Sequence, residues 1–326
     1  MTVTRRRRGA VGHALGWVAA AGLTAVAINR VWRSDAVPIL IGVQGVTAWA
    51  LLPAYPLAAF ALWKRKWPLA AVALALSATQ LVFTIGTIGW HGPQALPATD
   101  LPIRLASANL LYTNASIRQL GDDLAAEDAD VVVVQEVTDE VLAELEKSAL
   151  WTNYPYHSAA PEPLYHGAAT FSKFPILDGH SIDVAGYPML LTDLQTPAGV
   201  VRVINVHTVA PVAEVDAPAW AGQFPALSAI VAESPYPIVL AGDFNATLDH
   251  APLEKLASGN LRDAFRVAGS GIGNTWPRWD LPVPPVMRLD HVLVSAKVDV
   301  ASVTDKVSVG SDHRRLVVEL GIPAAR

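Results

Sequence analysis

The first 90 residues contain three apolar segments, and these constrain the fold more than any other feature of the chain. They cover about residues 9–28, 36–63 and 67–90. Each has the roughly 20 residues that a helix needs to cross about 30 Å of hydrocarbon. The first segment by itself also fits a secretory signal peptide. Because two more segments of spanning length follow, we expect a permanent anchor of three transmembrane helices, with a kink or break in the second at Pro53 or Pro56.

Basic residues predict how this anchor is oriented. Positive runs at 5–8 and 64–66 stand before the first segment and between the second and third, whereas only Arg30 and Arg33 separate the first from the second. Loops rich in Lys and Arg stay in the cytoplasm. The sequence therefore predicts a multi-pass protein of the cell membrane, with a cytoplasmic N-terminus and with the chain after His91 outside.

Charge changes sharply along the chain. Residues 1–95 contain nine Lys and Arg and one acid, whereas residues 96–326 contain fifteen Lys and Arg and twenty-eight acids, so the two parts carry +8 and −13. We predict a membrane anchor over 1–95 and an extracytoplasmic domain over 96–326. A domain at −13 argues against duplex DNA as a partner, because DNA needs a basic face, but it can take a small phosphate ester through a metal ion. The chain has no cysteine, which excludes disulfides, thiolate metal sites and a cysteine nucleophile.

The second part alternates between predicted strands and helices, which is typical of an α/β layered domain. Helices are predicted over 116–129, 138–150 and part of 213–232. Strands are predicted over 103–111, 130–137, 168–172, 200–207, 238–244, 289–295 and 316–320.

Polar side chains stand at the ends of six of these apolar strands. A single such residue is more often a loop or cap residue. Six strand ends with the same property favour one shared edge where the side chains meet. The residues are Asn109, Glu136, His207, Asp243 with Asn245, Asp290, and Asp312 with His313.

These residue types point to metal-assisted hydrolysis of a phosphate ester. Carboxylate and amide oxygens suit Mg²⁺ or Mn²⁺, and Glu136 with Asn109 would make the sparse protein site that Mg²⁺ prefers. A histidine held by an aspartate keeps a raised pKa and can donate to a phosphoryl oxygen. Asp243 can take a proton from the attacking water, and Asn245 can orient that water.

Seven motifs occur in the order expected for the endonuclease/exonuclease/phosphatase family, and residues 101–321 resemble it. The motifs are "ANLL", "VVVVQEV", "GAATFSKFP", "VINVHT", "LAGDFNAT", "RLDHVLVS" and "VGSDHRRL". The resemblance implies a four-layer αββα sandwich of the DNase I-like type, with a Mg²⁺-dependent phosphoesterase site at one edge. No protein partner is evident.

The resemblance also implies a role for each matching residue. Glu136 is the expected main metal ligand, with Asn109 as its partner and Asp312 on the same ion. Asp243 activates water, and Asp290 holds His313, the phosphate-binding histidine. Asn245 and His207 contact the phosphate. Two residues depart from the family pattern, Arg315 in "SDHRRL" and Lys173 in "FSK", and neither is an expected metal ligand.

Three membrane segments before such a domain resemble the glycopeptide-resistance membrane proteins of the VanJ kind. This resemblance implies a lipid-linked phosphate or pyrophosphate of cell-wall synthesis as the substrate, and membrane lipid as the partner. Trp276, Trp279 and Lys173 are the predicted substrate-binding residues. Two loops rich in bulky apolar residues, "APAWAGQFP" and "TWPRWDLPVPPVM", either grip the lipid or pack over the sandwich.

Three functions stay open on the sequence alone. The first is an external lipid phosphatase or pyrophosphatase, and the second is a surface nuclease or another phosphodiesterase, including a phospholipase C-like enzyme. The third is a binding protein without activity. The sequence does not determine the exact substrate, the number of metal ions, the oligomeric state or any link to antibiotic resistance.

Overall fold

The structure is a computed structural model that describes residues 2–33, 35–278 and 284–324. The chain divides into two compact units, Met1–Ile88 and Gly89–Arg326. The second unit begins at Gly89 because Gly89 and Trp90 already pair with Gly271 and Ser270 of that unit.

The only regular secondary structure in the described part of the first unit is helical. Its apolar sequence fits this result, because a helix satisfies its own backbone polar groups and can therefore lie in hydrocarbon. The helices are α1 (Thr2–Trp32), α2 (Pro38–Gly45), α3 (Thr47–Ala50), α4 (Ala54–Trp63) and α5 (Trp67–Thr87).

Two stretches, Gly12–Trp32 and Trp67–Thr87, are long and apolar enough to cross a membrane. The pair Pro38–Gly45 and Thr47–Trp63 passes the same test only when taken together, and it bends by 79°. The predicted count of three spans therefore holds only if this bent pair is one span. The bend lies at Val46, ahead of the two prolines, and the Gln80 side chain donates to the carbonyl of Ala48 beside it (3.0 Å).

The second unit contains two six-stranded sheets and one two-stranded ribbon. In the first sheet the strand order is β13-β14-β2-β3-β5-β4, and in the second it is β10-β12-β9-β8-β7-β6. The ribbon joins β1 and β11. The strands are β1 (Gly89–Trp90), β2 (Asp100–Asn109), β3 (Val131–Gln135), β4 (Tyr156–Ala160), β5 (Ala168–Ser172), β6 (Ile176–Val184), β7 (Tyr187–Thr196), β8 (Gly199–His207), β9 (Ile238–Asp243), β10 (Leu261–Asp263), β11 (Ser270–Gly271), β12 (Asp290–Ser295), β13 (Asp299–Val307) and β14 (Arg314–Pro323).

Helices cover the outer faces of both sheets. The predicted helix over 138–150 is two helices, because Ser148 turns the chain by donating to the carbonyl of Leu145. The helices of this unit are α6 (Ile117–Ala125), α7 (Asp139–Leu145), α8 (Ala149–Asn153), α9 (Asp216–Glu233), α10 (Ala251–Ser258) and α11 (Ala264–Ala268).

Apolar residues that alternate along the strands form the core between the sheets. Val131 and Val133 of the first sheet and Val203 and Val239 of the second belong to this one buried cluster. The intervening residues of β3, such as Val132, face the opposite way and pack against α6, α7 and α8. The two-sheet α/β sandwich predicted from the sequence is confirmed.

Candidate active site

The register of the sheets brings the predicted residues to one edge. In the first sheet β2 and β3 are parallel, and Asn109 lies opposite Gln135, the residue before Glu136. In the second sheet β8 and β9 are parallel with His207 opposite Asp243, and Asp243 also lies opposite Asp290 of antiparallel β12. Each sheet thus contributes part of a single polar cluster.

Asp243 lies at the centre of this cluster and is buried. Its Oδ2 accepts a hydrogen bond from Asn109 Nδ2 (3.1 Å) and lies 3.7 Å from His207 Nε2 and 3.6 Å from His313 Nε2. Burial raises the pKa of the Asp243 carboxyl, and nearby Asp290 acts in the same direction, while the two histidines oppose the shift. A carboxylate with a raised pKa is suited to accept a proton.

His313 is held as a cation by Asp290. Its Nδ1 donates to Asp290 Oδ2 (2.8 Å), and both side chains are buried. Burial disfavours the charged ring, but the carboxylates of Asp290 and Asp243 outweigh it and raise the pKa of His313 to about 10. At neutral pH the ring therefore carries both protons and presents Nε2–H as a donor next to Asp243.

Three further predicted residues complete the floor of the cluster. His207 Nδ1 donates to the backbone carbonyl of Tyr165 (2.7 Å), which leaves Nε2 facing Asp243 and, at 4.0 Å, Glu136 Oε1. Asn109 Nδ2 also donates to Glu136 Oε1 (2.9 Å). Glu136 has a positive φ of 64°, which turns the chain directly after β3.

Gly242 explains why a glycine precedes the Asp at the end of β9. Its φ is +148°, and an added Cβ would lie 1.9 Å from the carbonyl oxygen of Val206 on the neighbouring strand. Only glycine allows the close approach of β8 and β9 here. This approach sets His207 beside Asp243.

The oxygen donors fit a divalent cation. Glu136 and Asp312 carry carboxylates, and Asp312 Oδ1 is buried without a hydrogen-bond partner among the described residues, while its Oδ2 accepts from Trp276 Nε1 (3.0 Å). Asp290 Oδ1 is likewise buried without a partner in the described part of the chain. A buried carboxylate oxygen without a protein partner can accept from an ordered water or contact a cation.

A second grouping at the same place satisfies the geometric requirement for a metal site. Asp243, Asp290 and His313 each offer a ligand atom within 4.8 Å of the others. This Asp-Asp-His group differs from the predicted set of Glu136, Asn109 and Asp312. The Asp-Asp-His group offers two carboxylates and one imidazole nitrogen, whereas the predicted set offers only oxygen donors.

The remaining predicted residues divide into three groups. Asn245 is at the edge, where its Nδ2 donates to the carbonyl of Thr208 (2.8 Å). Trp276 contacts Asp312 as described above, whereas Trp279 lies outside the described residues. The structure does not bring Lys173 to the site: its Nζ contacts the carbonyl of Asp128 (3.0 Å) at the opposite end of β3, because Lys173 follows β5 and β5 runs antiparallel to β3.

The structure decides between the two alternatives for the loop "APAWAGQFP" and shows the contact that Arg315 makes. Trp220 and Phe224 lie inside α9 and are 0% and 2% exposed, so "APAWAGQFP" packs over the sandwich and does not grip a ligand. Arg315 donates to Glu127 Oε1 (2.7 Å) and is not part of the cluster.

Several buried supports were not visible in the sequence. Asn205 Nδ2 donates to the carbonyls of Val134 and Ala169 (2.9 and 3.0 Å), and its Oδ1 accepts from Gln135 (2.6 Å), so one amide joins the two sheets below the site. Thr275 Oγ1 accepts from the backbone N–H of Asp290 (3.2 Å). An amide inside an apolar strand gives no signal that separates it from other half-buried polar residues.

A buried triad lies behind the cluster. His291 Nδ1 donates to Asp263 Oδ2 (2.9 Å), and its Nε2 donates to the carbonyls of Ala246 and Arg288 (both 3.0 Å). Arg288 also donates to Asp263 Oδ1 (3.2 Å). His291 therefore fastens the loop after Asp243 to the strand that carries Asp290.

Solved structures share this fold. An endonuclease/exonuclease/phosphatase from Beutenbergia cavernae is 19% identical, with a TM-score of 0.56 over 68% of this chain and 72% of that chain. A humanized D. rerio TDP2 is 17% identical, with a TM-score of 0.57 over 67% and 98%. A variant of the 3' phosphatase NExo from Neisseria, bound to product DNA hairpin, is 18% identical, with a TM-score of 0.55 over 66% and 98%.

A family model agrees with the fold and the motifs. No curated protein sequence matches the chain. The model of the endonuclease/exonuclease/phosphatase family matches residues 106–313, which is more than half of the chain and contains every residue of the cluster. The chain belongs to the endonuclease/exonuclease/phosphatase family.

Proposed function

We propose that the protein is a membrane-anchored, Mg²⁺-dependent phosphoesterase that faces outside and hydrolyses a lipid-linked phosphate or pyrophosphate of cell-wall synthesis. We infer hydrolase activity from the buried cluster, in which the carboxylate of Asp243 lies 3.6 Å from the His313 ring. Asp243, whose pKa is raised, is suited to accept a proton from the attacking water, and the cationic His313 is suited to donate a hydrogen bond to the phosphate.

The protein residues divide the chemistry between them. Asp243 accepts a proton from the attacking water while the oxygen of that water bonds to phosphorus. The bond between phosphorus and the oxygen of the leaving group breaks. His313 donates a hydrogen bond from Nε2 to a phosphoryl oxygen, and Asp290 keeps its ring charged and oriented. Asn245 and His207 hold the phosphate beside them.

Glu136, Asn109 and Asp312 would hold the cation. Bound there, Mg²⁺ supplies Lewis-acid stabilisation of the phosphoryl oxygens. Glu136 is fixed for this role by two donors, Asn109 Nδ2 and the backbone N–H of Tyr112 (2.9 Å each).

A membrane substrate is supported by the helices of the first unit, because Gly12–Trp32 and Trp67–Thr87 are long and apolar enough to cross a membrane. An enzyme held at a membrane meets lipid-linked substrates there, whereas action on free nucleotides needs no such anchor.

The outward orientation can be tested because the chain has no cysteine. We expect a Lys297→Cys variant to react with an impermeant maleimide on intact cells and a Lys64→Cys variant to react only after lysis. The basic run at 64–66 favours this arrangement, which requires the bent pair to be one span. Protection of the Lys297→Cys variant from the reagent in intact cells would show a two-span topology and would place the site in the cytoplasm.

Phosphate release tests the activity. The full chain with Mg²⁺ is expected to release phosphate from isoprenyl pyrophosphates in preference to nucleotides and DNA. Glu136→Gln should lower the rate at least about 100-fold, because the loss of a metal carboxylate removes several kcal/mol of charge stabilisation. Glu319→Gln, on the exposed side of β14, is the matched control. The absence of Mg²⁺-dependent release from every substrate would leave the binding protein as the explanation.

A nuclease or another phosphodiesterase is the second candidate. It is favoured by the structural similarity to the 3' phosphatase bound to product DNA hairpin. The charge of −13 on residues 96–326 opposes it, because duplex DNA is bound through basic surfaces. Cleavage of plasmid DNA at a rate above that of phosphate release would decide for this candidate.

A further inference from the structure

Exposed apolar side chains lie on three separate loops next to the catalytic cluster. We call them the apolar collar. Val212 and Val215 are 80% and 81% exposed, and Leu164 is 57% exposed. The collar consists of Tyr112, Leu164, Tyr165, Val212 and Val215.

Two of the three loops of the collar are hydrogen-bonded to the catalytic cluster, and the third begins directly after His207. The backbone N–H of Tyr112 donates to Glu136 Oε2, and the carbonyl of Tyr165 accepts from His207 Nδ1. Val212 and Val215 lie between the end of β8 at His207 and the start of α9. The collar therefore belongs to the rim of the site and not to a remote surface.

The loops that carry the collar contain few charges, and none of them is basic. The stretches 110–116, 163–166 and 208–213 contain no Asp, Glu, Lys or Arg, while Glu162 precedes the second stretch and Glu214 and Asp216 flank Val215. Attraction to anionic headgroups is unavailable to such loops, so burial of apolar surface is the contact that they offer to a lipid layer. Tyrosine, with an apolar ring and a polar tip, suits the membrane–water interface.

We infer that the apolar collar inserts into the interfacial layer of the lipid bilayer, so that the catalytic edge takes its phosphate substrate directly from the membrane surface. This inference rests on the proposed function and specifies the surface that the site uses.

Single-cysteine labelling tests the contact independently of activity. The full chain, reconstituted in phosphatidylcholine–phosphatidylglycerol vesicles, carries a nitroxide at Leu164→Cys, Val215→Cys or the control Leu177→Cys. Leu177 is 58% exposed but lies on β6 at the opposite edge of the sheet. At each position the accessibility of the nitroxide to oxygen is divided by its accessibility to an aqueous nickel chelate. We expect this ratio to be several-fold higher at positions 164 and 215 than at position 177. Equal, water-like accessibility at all three positions would overturn the inference.

A second experiment links the collar to catalysis. The ratio of the rate on a lipid pyrophosphate in vesicles to the rate on a soluble short-chain ester should fall about tenfold in Val212→Ser/Val215→Ser, because two valines lose their lipid contact. The ratio should be unchanged in Leu177→Ser. An unchanged ratio in the double variant would contradict the inference. A chain that is inactive on both substrates would overturn the proposed function. The nitroxide labels would still show whether the collar contacts lipid.

Discussion

Asp243→Asn lowers kcat for phosphate release by about 10³-fold, as does His313→Gln, if the cluster performs the proposed hydrolysis. The amide keeps the shape of Asp243 and can still accept from the backbone N–H of Asn245 (2.8 Å). It cannot take a proton from water, and general-base catalysis contributes about 10² to 10⁴ to a rate. Glutamine at 313 keeps a donor but loses the positive charge that faces the phosphate.

The double variant provides the sharper measurement. Because both groups act on one phosphorus centre, the combined loss should be close to that of either single change and not to their product. Asp299→Asn, half exposed at the start of β13, is the control and should keep the wild-type kcat. Single variants within tenfold of the wild type would refute these two roles.

Asp263→Ala is expected to destabilise the second unit by about 3–5 kcal/mol. The carboxylate is buried and accepts from His291, from Arg288 and from the backbone N–H of Arg266 (2.9 Å). Its removal leaves the buried Arg288 and His291 without their partner, which costs far more than the loss of an exposed pair. Urea unfolding of the detergent-solubilised chain, followed by tryptophan fluorescence, measures the change.

Glu254 provides the control for this experiment. It forms an exposed ion pair with Arg266 (2.7 Å), and Glu254→Ala should change the free energy of unfolding by no more than about 1 kcal/mol. A similar, small effect at Asp263 would show that the buried triad does not stabilise the fold.

The same carboxylate predicts a dependence on pH. Burial opposes the ionisation of Asp263, but the charge of Arg288 and the hydrogen bond from His291 hold its pKa well below the usual range. A depressed folded-state pKa stabilises the protein above the unfolded value of about 4, and this stability is lost as the pH falls below it. Asp263→Asn should lack this loss between about pH 4 and pH 2.

The positions of the polar cluster were predictable because parallel strands end at a common edge. β3 and β9 are short, fully buried runs, and each stops at a polar residue that the sheet register then aligns. The two-sheet fold followed from the same motifs. The chemical roles of Glu136, Asp243 and His313 stay predictions, because the geometry shows where the side chains lie and not what they do in turnover.

Other features of the structure could not be predicted because they depend on contacts between distant parts of the chain. β6 was missed because its residues from Leu177 to Ser181 are exposed and polar at almost every position, so no apolar alternation marks the strand. Lys173 was assigned to the site from its place in a motif, although the antiparallel direction of β5 carries it to the far edge. Trp220 looked like a loop residue, but α9 buries it against the carbonyl of Phe244.

The Asn205 amide has a consequence for how this protein can be altered. Asn109 and His313 belong to one sheet and His207, Asp243 and Asp290 to the other, so a shear of one residue between the layers, about 3.3 Å, would separate Asp243 from Asn109 and His313. Asn205 resists that shear by gripping two carbonyls of the facing sheet. Chimeras that exchange one sheet between relatives should therefore fail unless this amide and its two acceptors are exchanged as a unit.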